Sequence, residues 1–205
     1  MLPQVVTYLP GLRPLSTMEL YTDTYYIQRI QAGDVACFAC LLDKYSRPIH
    51  SLILKVVRSQ EEAEELAQDT FMKVFKNLAS FKGDCSFSTW IYRIAYNTAV
   101  SETRRRKREW VCIDQARLAN LPDSDAERMD AWEGRQEYLD ALARAVGALE
   151  PEERALVTLF YYEEYSVSEC AGITQISESN VKVRLHRIRK KLYILVNTQL
   201  HGSEK

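Results

Sequence analysis

Glycine is scarce, seven in 205 residues, and none of the seven builds a phosphate-cradling loop of the kind nucleotide enzymes use. Histidine is scarcer still. His50, His186 and His201 stand far apart in the chain, which leaves no His-based catalytic or ligand constellation. The five cysteines, Cys37, Cys40, Cys85, Cys112 and Cys170, are odd in number and scattered. That favours reduced thiols in a cytoplasm over a disulfide framework. Cys37-x-x-Cys40 is the one metal-like spacing, it has no second pair, and it lies in apolar helical text where small packed residues are the default. No apolar run approaches the roughly 20 residues of a membrane span. No basic start is followed by an apolar block and a cleavage site. The expectation is a cytoplasmic chain with no membrane insertion, no metal, no cofactor and no enzymatic chemistry.

Net charge is also nearly absent, at −1, but the charges are unevenly placed. Residues 101–109 carry Arg104, Arg105, Arg106, Lys107 and Arg108 against Glu102 and Glu109, a net +3. Residues 182–191 carry six basic residues and no acid. Between them, residues 112–137 are acidic, a net −4. Two basic patches separated by an acidic stretch is the pattern to explain.

The periodicity is helical throughout, and nothing reads as a strand. Residues 1–20 hold three prolines without periodicity and read as a loose extension, with Met18 a second candidate start. From Asp23 onward apolar residues recur at spacings of three and four. Pro48 is expected to bend the second helix. Ser59 with Glu62 makes a capping-box start for the next, whose apolar face runs from Ala63 to Phe75 and Leu78. Phe87, Trp90, Ile91, Ile94, Ala95 and Thr98 lie on one face of a fourth helix, which turns Tyr92, Arg93, Tyr96 and Asn97 towards the opposite side. Residues 110–135, with Pro122 and clustered acids, read as a flexible acidic linker. A second helical unit spans 136–200. The expected fold is all-α, two small helical domains (21–109 and 136–200) joined by that linker.

The last helix carries a core stripe of Val181, Leu185, Ile188, Leu192 and Leu195, with Ser177 as its N-cap. The opposite face holds Ser179, Val183, His186 and Lys190, flanked by Lys182 and Arg187. With the short helix and tight turn before it, this is the layout of a helix-turn-helix, whose second helix enters the major groove. The plain alternative is a solvated basic face. In the fourth helix, aromatics interleaved with basic residues suit single-stranded nucleic acid, because rings stack on unpaired bases while arginines follow phosphates. The alternative there is half-buried tyrosines and a solubilising helix end. The acidic start "EEAEELAQD" is explained by the helix dipole at Glu61 and Glu62 but not at Asp69, two turns in; it suits a basic protein surface.

"AEELAQDTFMKVFKNLASFKGDCSFSTWIYRIAYNTAVSETRRRKRE" resembles the second conserved domain of sigma-70 family transcription initiation factors, and "LEPEERALVTLFYYEEYSVSECAGITQISESNVKVRLHRIRKKL" resembles their fourth. Their order and short spacer resemble the extracytoplasmic-function (ECF) group. The resemblance implies a factor that binds core RNA polymerase, melts the −10 promoter element with the second domain and reads the upstream (−35) element with the fourth. It implies polymerase contacts at Leu66, Gln68, Asp69, Phe71 and Lys73, with Glu65 beside them. It implies −10 DNA contacts at Lys82, Ser86, Ser88, Trp90, Tyr92, Arg93, Tyr96, Asn97, Arg104, Arg105 and Arg106. It implies upstream duplex contacts at Ser177, Glu178, Ser179, Lys182, Val183, His186, Arg187 and Lys190. An anti-sigma protein is a further partner the resemblance implies. The chain departs from the family at Thr174-Gln175, where Leu-Gly is usual and glycine supplies a positive φ cheaply. A helix-turn-helix regulator that acts without polymerase is the competing reading; it leaves the acidic helix and the aromatic patch unused.

Overall fold

The computed structural model describes residues 22–105 and 136–201. The expected extension 1–20, the linker 110–135 and Arg106 fall outside these residues. Among the described residues every regular element is helical.

The first group of helices is α1 (Asp23–Gln31), α2 (Phe38–Val57), α3 (Gln60–Asn77) and α4 (Phe87–Arg105), with short 3-10 turns at Val35–Cys37 and Leu78–Ser80. The α2 helix passes through Pro48 and stops at Arg58, whose left-handed backbone (φ 63°) ends it with an N–H bond to Leu54 O. Its stripe Leu41, Tyr45, Ile49, Leu52, Ile53 and Val56 is buried at helical spacing and forms the centre of the core. The expected N-cap opens α3. Ser59 is extended and its Oγ accepts the Glu62 N–H at 3.4 Å. Ser86 does the same for α4, accepting the Thr89 N–H at 3.0 Å. Loop 82–86 before it turns through Gly83 at φ 81°.

The second group is α5 (Gln136–Ala148), α6 (Pro151–Val157) continued by a π turn over Thr158–Tyr162, α7 (Val167–Thr174) and α8 (Glu178–His201). Pro at the first turn and a Glu150/Glu153 capping box start α6. A Ser166/Glu169 capping box starts α7. The turn from α7 to α8 keeps the left-handed geometry at Gln175 (φ 60°), so a glutamine does there what glycine would do more cheaply. Ser177 Oγ accepts the Asn180 N–H at the start of α8, and Val181, Leu185, Ile188 and Leu192 are buried as their spacing predicts. The stripe then continues at Val196, with Leu195 only partly buried.

The two groups pack against each other along α2 with α6 and along α4 with α7. Arg154 on α6 stitches the first of these seams. It is 1% exposed, and its guanidinium donates to the carbonyls of Lys55 and Val56 at the end of α2, of Gly147 in the last turn of α5 and of Leu149 just after it, at 2.5–3.2 Å. Arg58 adds a bond to the same Gly147 carbonyl, and the Lys55 ammonium sits 3.4 Å from the Tyr162 ring centroid.

Candidate polymerase and nucleic-acid interface

Two of the predicted faces of α4 are exchanged in the structure. Tyr92 and Tyr96, expected outside, are buried at 2% and 8% exposure, while Trp90 and Ile94, expected inside, are only half-buried. The reason is that α4 is covered from two sides. Phe87, Ile91, Ala95 and Thr98 face α2 and α3, and a second strip, with Tyr92, is covered from the α6–α7 side. A one-stripe pattern describes a helix covered from one side only. Phe75, read as core, is also a correction: it is 42% exposed, its ring edge-on to Phe38 at 5.0 Å.

The uncovered side of α4 lines a groove of about 800 Å³ against α3. Glu65, Leu66, Asp69 and Lys73 from α3 line it together with Trp90, Asn97 and Arg105 from α4. Four members of the polymerase set and three of the −10 DNA set therefore share one cleft. Within it Glu65, Asp69, Lys73 and Asn97 are exposed, and Lys73 Nζ donates to Thr98 Oγ1 at 3.0 Å. Gln68 is exposed as well. Leu66 and Phe71 turn mainly into the core, so their part in any contact is to hold α3 in place. The side chain that sequence reasoning passed over is Met72, which is 54% exposed beside Gln68 and Phe75 on α3. A large apolar residue one helical turn after an exposed polar one was the available signal.

Trp90 belongs to an aromatic stack with Phe81 and Phe87, centroids 5.1 and 5.7 Å away. Its indole is thus held in place while part of its surface stays open. Lys82 and Ser86 in the adjoining loop are exposed.

The covered side of α4 has different neighbours. Tyr92 OH donates to Glu163 Oε2 at 2.7 Å, and its ring meets Tyr165 edge-on at 4.9 Å. Ser88 Oγ hydrogen-bonds to Tyr165 OH. Arg93 Nε donates to Gly172 O at 2.7 Å, near the carbonyl end of α7. Burial, with the Glu163 carboxylate behind it, pushes the Tyr92 phenol well above its usual range. Burial also raises Tyr96 and Tyr165. At the helix end Arg104 pairs with Glu152 on α6 (2.8 Å) and Arg105 with Glu102 (2.9 Å).

The upstream-DNA set lies apart from the groove, on the N-terminal half of α8. Ser177, Glu178, Ser179, Lys182, Val183 and Arg187 are exposed, with His186 and Lys190 partly so. Val183, at 46% exposure, is an apolar contact in an otherwise polar and basic face. Near the other end of the basic run, Lys191 pairs with Glu153 and Arg189 Nε donates to Tyr161 OH at 2.6 Å. The run therefore divides: Lys182, Arg184 and Arg187 point out, while Arg189 and Lys191 tie α8 to its own domain. Among the described residues no cluster of His, Cys, Asp and Glu could hold a metal ion, and no helix is long and apolar enough to cross a membrane.

The Sigma-70 region 2 model matches residues 41–109, and the Sigma-70, region 4 model matches residues 139–192. The RNA polymerase sigma-H factor of Pseudomonas aeruginosa is 30% identical over 83% of this chain and 91% of its own length. The ECF RNA polymerase sigma factor SigW of Bacillus subtilis is 28% identical over 81% and 92%. The structure of CnrH in complex with the cytosolic domain of CnrY superposes with a TM-score of 0.62 at 21% identity, covering 86% of this chain and 97% of that one. By its two matched regions, and by a relative matched over nearly its whole length, this chain belongs to the sigma-70 family of RNA polymerase sigma factors, in the extracytoplasmic-function group.

Proposed function

We propose that this chain is a non-enzymatic initiation subunit that binds core RNA polymerase, directs it to promoters through α8 and opens the −10 element through α4. The observation that carries the reading is the left-handed turn at Gln175 leading into α8, with Ser179, Lys182, Val183 and Arg187 turned outward. A helix presented this way places N-terminal side chains on base edges and cations on phosphates. The groove between α3 and α4 supports the second half. Acidic residues on one wall suit a basic protein surface, and a fixed, partly open indole on the other suits an unpaired base. The protein would act in the cytoplasm, where the polymerase is. An anti-sigma protein is the further partner; the fold neighbour CnrH was solved with a second protein bound.

Run-off transcription on genomic fragments, with core polymerase in the presence and absence of the protein, tests this reading. Promoter-specific transcripts that need the protein are expected. A helix-turn-helix regulator acting alone would bind duplex DNA without conferring them. Asp69→Arg should abolish co-purification with core polymerase while leaving stability within about ±0.5 kcal/mol, because the residue is an exposed charge.

A further inference from the structure

Among the described residues of α8, Val183 is the large apolar side chain left exposed. At about 100° per residue it lies opposite the buried stripe of Val181, Leu185, Ile188 and Leu192, so it points outward at the centre of the exposed face. A valine there serves neither packing nor helix formation. It is uncovered, and its β-branch is disfavoured in a helix relative to the straight-chain residues that suit solvent-facing positions. Lys182 and Arg184, both exposed, stand about 100° to either side of it. Cations so placed meet the phosphates on the two walls of a major groove while the valine faces its floor. We propose that Val183 makes α8 select a thymine in the upstream element, by packing its isopropyl group against the thymine C5-methyl. The inference rests on the proposed function, since it takes α8 as the helix that enters the groove, and it goes further by naming the base and the atom read.

The major-groove edges of the bases are donors and acceptors, with one apolar feature, the thymine methyl. Valine has no side-chain atom that can hydrogen-bond. Set against guanine O6 and N7 or the cytosine amino group, it would strip water from those groups and offer nothing in return. Set against the methyl, it strands no polar group, and both apolar surfaces leave water. Selection therefore has an attractive half and a repulsive half. The β-branch adds to it, because an isopropyl group already confined to one rotamer in a helix loses little freedom on contact. The polar neighbours on the same face supply the other readout. Ser179 lies one turn before Val183 and Arg187 one turn after, so hydrogen-bonding groups bracket the apolar contact along the groove.

The test uses the full chain bound to core polymerase. Its preferred upstream element is selected from promoter duplexes randomised in that region. Each thymine of the selected element, on either strand, is then replaced singly by deoxyuridine, which lacks only the methyl. One replacement should weaken binding by about fourfold, the effect of one carbon's worth of buried apolar surface. In Val183→Ala the difference between thymine and deoxyuridine at that position should disappear. In the parent protein, 5-methylcytosine placed there should bind better than cytosine. Methyl sensitivity at no position would overturn the proposal. So would a sensitive thymine that stays equally sensitive in Val183→Ala, since its methyl would then be read by another side chain or through the stiffness of the duplex. Both results leave the proposed function standing. If the holoenzyme selects no upstream sequence at all, the recognition role of α8 fails, and the inference with it.

Discussion

Tyr92 shows how one residue can be legible in type and illegible in orientation. The sequence displays an aromatic at a position suited to an unpaired base, but helical spacing alone does not say which of two covers the ring lies under. Its hydroxyl now donates to a half-buried carboxylate. Tyr92→Phe removes that bond but leaves Glu163 within reach of water, so the expected loss is about 1–2 kcal/mol, and a double-mutant cycle with Glu163→Ala should return most of it as coupling energy. Urea unfolding of the four proteins measures this. Arg154 is the opposite case, a residue with no sequence signal, since an arginine in "PEERALV" reads as exposed. The structure surrounds it with four carbonyls and almost no solvent. Arg154→Met keeps the stem but orphans those acceptors, and should lower the unfolding free energy by on the order of 3 kcal/mol. An effect below about 0.5 kcal/mol, the size usual for surface substitutions, would mean that these carbonyls find other donors.

At the level of elements, most of the fold was readable, because caps and stripes are local. Ser59, Ser177 and the Val181–Leu192 stripe stand where spacing puts them. What spacing could not supply was the second cover on α4, which comes from residues 70–80 positions away in the chain. The same limit explains Phe75. A residue at the edge of a stripe is buried or exposed according to what the next helix brings, and here it brings only the edge of Phe38. The α7–α8 turn is a case where local chemistry yields to its context. Gln175 holds a backbone conformation that disfavours side chains, because Ser177 and the α8 stripe fix where the chain must go. Gln175→Gly should therefore raise stability, by about 0.5 kcal/mol after the extra unfolded-state entropy of glycine is subtracted, and should leave α8 in place. Thermal melts of the two proteins, with promoter DNA affinity as the check on α8, decide it. A loss of stability would show that the turn is unstrained.

At the scale of the whole molecule, four tyrosines hold the two helical groups and their cores together, and all four resist ionisation. Tyr45 donates to Asp23 at 2.7 Å and Tyr92 to Glu163, so a phenolate in either place would face a carboxylate. Tyr45, Tyr92, Tyr96 and Tyr165 are all raised above the ordinary phenol value, in each case mainly by burial. The ordinary value is about 10. A group whose folded pKa lies above its unfolded one contributes stability that is complete below the unfolded value and disappears as pH climbs through the folded one. Folding should thus be insensitive to these groups up to about pH 10 and weaken steeply above it, by as much as about 1.4 kcal/mol per pH unit for each. Tyr92, Tyr96 and Tyr165 lie on or beside the α4–α7 side, and Tyr45, bonded to Asp23 within the first group, also interacts with Tyr165 of the second. The seam should accordingly give way before the first group unfolds. In an alkaline titration, helicity should stay intact up to about pH 10. Tyr92, Tyr96 and Tyr165 should ionise only as the two groups part, a step that precedes the main loss of helicity. If these three ionise near pH 10 with helicity intact, the rings are open to solvent and the two groups do not pack together in solution as they do here.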